Sequence, residues 1–508
     1  MTNSAENNKR IAKNTLLLYF RMFLIMGVTL YTSRVILEAL GVEDFGIYNV
    51  VAGVVVLFTF LNNAMASATQ RYLNFSLGKN DEKEVSRIFS MSMTSHFIIS
   101  IIVLIAAETI GLWFVITQLN IPSSRMSAAI WTYQLAIATC ILQIIRVPYN
   151  ASIIAYEKMS FYAWISIIEA ILKLLIVFIL VLYKGDHLIM YSFLLFLVVG
   201  IINLLYKFYC NKKFPITRYV FFWDQKLFKE FIGFSGWSLI GGLANVSAQQ
   251  GLNLIINIFC GVTVNAAVGI CNQVNTAINS FLTNFQTAFN PQLIKSYANN
   301  DRRYFMNLIF STSKFSYFLM LFISTPILIN CEFILEVWLD NVPKYTVEFT
   351  QLMIIFTLFD AISGPLWISV QATGKIRNYQ ILIGCLILLN IPLSFILMKL
   401  GFSPVYVFII RVLLNAVTLI ARIIYLKPII NLPIHNFIYK VIIKIIIVTI
   451  VSLPLPIYLS TIYKNWNGLF ITTLTSIALT TIFIYTLGLS QNEKTTIKQI
   501  ITRKFQKK

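Results

Sequence analysis

Long apolar runs alternate with short polar breaks along almost the whole chain. A bilayer crossing needs about 20 mostly apolar residues in a helix. Fourteen segments meet that length, at 14–37, 46–70, 88–117, 127–147, 161–183, 187–208, 232–260, 265–290, 307–330, 346–371, 378–399, 403–426, 437–461 and 467–488. The boundaries at Gly185-Asp186 and at 261–265 are the weakest, and the interval from 207 to 231 is too small for a separate catalytic domain. The pattern predicts an all-α polytopic membrane protein with about 14 transmembrane helices.

Composition agrees with the pattern. Of 508 residues, 58% are hydrophobic and 12% charged, about half the charged fraction of a soluble domain. Disorder is excluded, because disordered chains are poor in apolar residues. The net charge of +20 does not imply nucleic acid as a partner, since little solvated protein exists to carry a basic face. Topology accounts for it instead. With the N-terminus inside, 31 of the 40 lysines and arginines fall in cytoplasmic loops or toward the cytoplasmic ends of spans, six on the other side, and Arg21, Lys173 and Arg411 are assigned to the span interiors. That bias is the positive-inside signature, and the even span count puts both termini in the cytoplasm. The opening Lys9-Arg10, Lys13 and Leu16-Leu17-Leu18 imitate a signal peptide, but no small-residue cleavage site follows and Arg21 interrupts the run, so it reads as the start of the first span.

An internal repeat divides the chain. Leu40-Gly41-Val42 and Cys260-Gly261-Val262 stand 220 residues apart, as do Asn80-Asp81 and Asn300-Asp301. Pro148, Ala155, Lys158 and Tyr162 recur as Pro365, Ala372, Lys375 and Tyr379, offset by 217. The unit is six spans, so two lobes form a parallel repeat of the kind in which transporters bind substrate between halves. The expected organisation is an N-lobe at 1–215, a C-lobe at 216–430, and two further helices with a basic tail at 431–508.

Polar residues within spans are expensive unless they face protein or water. Span 7 carries Asn245, Gln249, Asn253 and Asn257 at four-residue spacing. Span 8 carries Asn272, Asn275, Asn279, Thr283, Gln286 and Asn290 on one face, and span 2 carries Asn49, Asn63, Ser67, Gln70 and Asn74. A shared aqueous cavity explains matching polar faces, and interhelical hydrogen bonding explains them too. Arg21, in the first third of span 1 with no acid three or four residues away, suits a phosphate or pyrophosphate or snorkels to the interface. Glu169 and Lys173 are one turn apart in span 5 and make a local pair or a coupling site. Asp360 in span 10 and Arg411 in span 12 have no local partner; they form a proton or ion site and an anion contact, or neutralise each other. The six cysteines lack CxxC spacing and His96, His187 and His435 are isolated, so neither a disulfide framework nor a metal site is expected. Phosphate-binding loops and the GxSxG and HExxH arrangements are absent where solvent reaches, so the chain is not expected to be an enzyme.

Several blocks carry a family resemblance. Arg10-Ile11-Ala12-Lys13-Asn14, then Leu40-Gly41-Val42-Glu43-Asp44-Phe45-Gly46-Ile47-Tyr48-Asn49, then Arg71-Tyr72-Leu73 resemble the polysaccharide-transporter branch of the multidrug/oligosaccharidyl-lipid/polysaccharide (MOP) exporter superfamily. Phe289-Asn290-Pro291 and Ala372-Thr373-Gly374-Lys375 in the second half look like the same family. The resemblance implies a Wzx-type O-antigen or capsule flippase in the bacterial inner membrane. Such a protein moves an undecaprenyl-pyrophosphate-linked oligosaccharide between leaflets by alternating access. It would act beside polysaccharide assembly machinery, without a cofactor, with coupling open among H⁺, Na⁺ and the membrane potential; two lobes in one chain lead to the expectation of a monomer. The pyrophosphate would meet Arg21, Arg71 and Arg411, and the glycan the amides of Asn63, Gln70, Asn245, Gln249, Asn253, Asn257, Asn272, Asn275, Asn279 and Gln286. A cation antiporter of the same superfamily competes, although span 1 offers Arg21 and no acid before Glu38. A lipid II flippase is also consistent. A membrane glycosyltransferase or polymerase, suggested only by Glu43-Asp44, would need a larger external loop.

Overall fold

The computed structural model describes residues 2–79, 81–117, 121–339, 342–463, 465–491 and 493–495. Side chains 2–13 and many between 29 and 64 and between 254 and 266 lie outside the description, among them Arg34, Glu38, Asn49, Asn63 and Asn257. Every described element is helical. Among the described residues, eleven helices are long and apolar enough to cross a membrane: Glu82–Thr117, Met126–Ala155, Met159–Leu182, His187–Lys213, Gln225–Cys260, Arg302–Ile329, Thr346–Thr373, Arg377–Lys399, Val405–Ile430, Ile434–Ile462 and Trp466–Gly488. Each coincides with one of the fourteen expected spans. The other three expected spans lie within the long helices Thr2–Gly78 and Gln225–Ala298. In the first of these, Gly41 breaks the helix at φ 76°, ψ 166°, a conformation open to glycine and costly for a residue with a Cβ.

The helices are organised as the bilayer requires. Ile101, Ile102 and Ile105 on Glu82–Thr117, and Leu175, Phe178 and Leu182 on Met159–Leu182, point away from protein. Ser90, Ser92, Ser95 and Ser100 point inward and are buried. Small polar residues let helix backbones approach closely, and their hydroxyls need an acceptor. Ser95 donates to the Met91 carbonyl and Ser100 to that of His96, both at 2.8 Å. Ser92 and Thr69 share a 2.7 Å hydroxyl bond between helices.

Two compact units result, Ile11–Leu239 and Ile240–Lys508 with Met1–Arg10. In the first, Met126–Ala155 packs against both Glu82–Thr117 and His187–Lys213; in the second, Thr346–Thr373 packs against both Arg302–Ile329 and Val405–Ile430. The loops repeat as well. The Asp81 amide donates to the Ser76 carbonyl at 3.2 Å, and that of Asp301 to Ser296 at 3.1 Å. Each aspartate then caps the next helix, accepting from the amide of Glu84 (3.0 Å) or Tyr304 (3.1 Å). At the second correspondence, Ser152 donates to the Pro148 carbonyl at 2.8 Å and Ser369 to that of Pro365 at 2.7 Å. Both helices then end on a left-handed residue, Glu157 at φ 58° and Gly374 at φ 77°.

In the first unit, Arg125 grips two aspartates where helices begin. Its guanidinium meets Asp44 at 2.5 and 2.8 Å and Asp186 at 2.6 Å. Asp186 also caps His187–Lys213 through the amides of Leu188 and Ile189. Desolvation opposes its charge, but the Arg125 bond and these amides outweigh it and hold the carboxyl below its ordinary range.

The last two spans pack on Arg302–Ile329 in the second unit. Tyr317 and Thr449 share a 2.9 Å hydroxyl bond, and Thr472 donates to Asn330 at 2.9 Å. Past the last span, the Glu493 carboxylate receives the buried Lys314 ammonium at 2.6 Å, the Ser490 amide at 2.7 Å and hydroxyl at 2.8 Å, and the Ser311 hydroxyl at 3.3 Å. Burial penalises this carboxylate, yet the Lys314 charge and the serine donors outweigh burial and lower its pKa. A group lowered on folding stabilises the native state above its unfolded pKa and loses that contribution as pH falls through the folded value. Glu493→Gln, which strands the buried Lys314, should therefore cost about 3 kcal/mol at neutral pH. Thermal denaturation in detergent should show the wild type converging on the variant below about pH 4; a gap that stays constant with pH would disprove the linkage.

Candidate functional site

The first unit gathers charge around one carboxylate inside the helices. Glu169, on Met159–Leu182, receives Lys173 at 2.8 Å one turn along, and Arg146, from Met126–Ala155, lies 3.6 Å from its other oxygen. Arg21 is a further cation within electrostatic reach of that carboxylate. The two guanidiniums also lie over aromatic faces, Arg21 at 4.4 Å from the Tyr162 ring centroid and Arg146 at 5.4 Å from that of Tyr206, where the ring quadrupole favours a cation. Buried donors remain: Arg21 Nε and Arg146 Nη1 have no hydrogen-bond acceptor. Three cations surround one anion, so the cluster keeps an excess of positive charge.

The second unit holds a smaller constellation. Asp360, on Thr346–Thr373, is within electrostatic reach of Arg422 and Arg411, both on Val405–Ile430. Arg411 sits 4.8 Å from the Phe356 ring centroid. Arg422 Nε and the Tyr379 hydroxyl are buried and have no hydrogen-bond partner. Two cations face one carboxylate, and Asp360 makes no close ion pair with either among the described residues.

Residues 239–396 match the MatE family model. No curated protein matches the sequence. An outward-facing multidrug-resistance MATE family transporter of the MOP superfamily superposes with a TM-score of 0.72 at 12% identity, over 83% of this chain and 96% of that one. A MATE transporter in complex with MaD3S gives 0.71 at 13% identity, over 84% and 96%. A MOP superfamily transporter from Pyrococcus furiosus, whose pocket is described as having reverse polarity suggesting a different function, gives 0.68 at 12% identity, again over 84% and 96%. The chain has the MATE fold.

Within this MATE fold the expected site residues separate into groups. Arg21, Glu169 and Lys173 come together in the first unit. Arg71 is buried at the end of Thr2–Gly78, over the rings of Tyr72 (4.4 Å) and Phe75 (5.3 Å), with Gln70 half-buried beside it. Asn245 and Gln249 are exposed on Gln225–Ala298, and Asn245 donates to the Gly241 carbonyl at 2.9 Å. Asn253 donates to Gln250 at 3.2 Å while its buried oxygen stays unsatisfied. Asn275 is tied up, accepting from Asn279 at 3.2 Å and from Thr357 of the neighbouring helix at 2.6 Å. Gln286 presses against Gly364, where any Cβ would overlap its amide. Asn272 is half-buried. Asn63 and Asn257 fall outside the described side chains.

Arg146 and Arg422 join the clusters although the sequence reading counts both with the cytoplasmic charge, at the ends of spans 127–147 and 403–426, and not among the site residues. Pro148 and Pro365 sit inside their helices, because neighbouring groups in a membrane helix re-satisfy the freed carbonyl. Met126–Ala155 thus runs on to Ala155, leaving Arg146 about 13 Å from its end. The repeat offered the signal, since the helix end follows Glu157 and Gly374 rather than the prolines.

The Asn275–Thr357 bond makes part of the span-8 stripe helix-to-helix adhesive. Asn275→Ala should lower thermal stability, with a double-mutant cycle against Thr357→Val giving about 0.6–1.7 kcal/mol of coupling. Gln249→Ala, on an exposed face, should leave the melting temperature unchanged. Zero coupling in the cycle would return Asn275 to the set available to a substrate.

Proposed function

We propose that this protein is a secondary transporter working by alternating access, and that its substrate is an anionic, lipid-linked oligosaccharide carried on a pyrophosphate. The observation that carries the reading is the sign of the charge. Arg21, Arg146 and Lys173 outnumber Glu169 in one unit, and Arg411 and Arg422 outnumber Asp360 in the other. Unused guanidinium donors in a low-dielectric setting suit phosphate oxygens, which they meet in charge-assisted, often bidentate bonds. The exposed amides of Asn245 and Gln249 offer the donors and acceptors a glycan needs. The Pyrococcus furiosus transporter, described as having a pocket of reverse polarity, supports reading substrate class from charge rather than from fold.

Export of a cationic drug is the second reading. The MatE match and the multidrug MATE structure favour it, and Asp360, free of a close ion pair among the described residues, is the carboxylate it would use.

Reconstitution in vesicles separates the two. Labelled lipid-pyrophosphate oligosaccharide should reach the opposite leaflet in a protein-dependent manner. Arg21→Ala and Arg146→Ala should each reduce that rate at least about tenfold, the cost of one charge-assisted contact, while membrane expression is unchanged. Exchange of a cationic dye for H⁺ or Na⁺ without any lipid translocation would establish the second reading instead.

A further inference from the structure

The segment joining the sixth span to the seventh is built unlike a solvent loop. From Arg218 to Trp223 it reads Arg-Tyr-Val-Phe-Phe-Trp, and Val220, Phe221 and Trp223 are 67%, 74% and 48% exposed. Water alone would disfavour three adjacent apolar side chains so displayed. The segment is nevertheless fixed. Tyr219 shares a 3.3 Å hydroxyl bond with Thr94 and packs edge-on to Phe97 at 5.7 Å. Farther along, Phe222 lies under the Arg87 guanidinium at 5.0 Å, and Asp224 pairs with Arg87 at 3.5 Å and caps the following helix through the amides of Lys226 and Leu227. The strap therefore follows one face of Glu82–Thr117, at the positions 87, 94 and 97, with its aromatic edge turned outward.

Positive charge brackets that edge. Lys212, Lys213, Arg218, Lys226 and Lys229 are all exposed, and Asp224, the acid among them, is occupied by Arg87. Aromatic side chains settle at the boundary between headgroup and hydrocarbon, and bases beside them gain from anionic lipid. We propose that this segment is a membrane-interface strap: Val220, Phe221 and Trp223 enter the acyl boundary while the surrounding lysines and Arg218 hold anionic phospholipid headgroups. Its partner is the lipid of the leaflet on the basic side of the protein. The assignment is independent of what is transported.

Trp223 is its own reporter. The full-length protein is placed in nanodiscs of phosphatidylcholine and phosphatidylglycerol, with one or the other brominated. The fluorescence of Trp223 is taken as wild type minus Trp223→Phe. Brominated lipid should quench it, and brominated phosphatidylglycerol should do so about twofold more strongly than brominated phosphatidylcholine at equal fraction. Arg218→Gln with Lys226→Gln and Lys229→Gln should keep the quenching and lose the preference; if that variant fails to fold, the wild-type comparison alone decides. Quenching by aqueous acrylamide with no effect of brominated lipid would overturn the strap, and equal quenching by the two headgroups would overturn its anionic partner.

Discussion

A bilayer offers no water to a stranded polar group, and much of this structure answers that constraint. Backbone amides and carbonyls find partners within helices, and serine and threonine hydroxyls bond back to the carbonyl one turn earlier. Where helices begin, aspartates take up free amides. The two repeats solve the problem in the same way at the same offset. The Ser76–Asp81 and Ser296–Asp301 turns close with the same backbone bond and then the same cap. That agreement in hydrogen bonding is stronger evidence of duplication than shared letters, since Leu, Ile and Gly recur in any apolar chain.

Charge is where the constraint is spent on something else. An unpaired guanidinium within a membrane protein is costly, and here Arg21 and Arg146 are only partly compensated. The Tyr162 and Tyr206 rings and the single Glu169 carboxylate make their burial tolerable without cancelling it. Packing alone would be served better by an apolar side chain of similar volume. The uncompensated charge is thus the feature of the first unit that stability does not explain.

Periodicity made the architecture legible. Eleven apolar runs became eleven spanning helices, because length and hydropathy are local properties and the membrane imposes both. The site was legible only where its chemistry was local. Glu169 and Lys173 could be paired from their four-residue spacing. Arg146 stands at the edge of the expected span 127–147, and the helix runs on through Pro148 to Ala155, which sets Arg146 deeper than the sequence placed it. The Asn275 amide could not be told from a cavity residue, since its partner Thr357 lies 82 positions away. The segment 218–223 is counted in a polar interval because lysines flank it on both sides, while the outward exposure of Val220, Phe221 and Trp223 shows only in the folded chain.

The fold is shared by a multidrug-resistance transporter and by one whose pocket is described as having reverse polarity, so fold alone cannot choose a substrate. The choice must rest on which groups are free to change partners during a cycle. A carboxylate that exchanges a cationic substrate for a proton has to be released at some stage, and Glu169 has Lys173, Arg146 and Arg21 arrayed against release. The guanidinium donors in the same cluster stand in the opposite position: Arg21 Nε is buried without an acceptor, and Arg146 Nη1 makes no hydrogen bond, only a 3.6 Å ion pair with Glu169. On the proposed reading an anion would complete this cluster, whereas a cation would first have to displace Lys173 and Arg146 from Glu169.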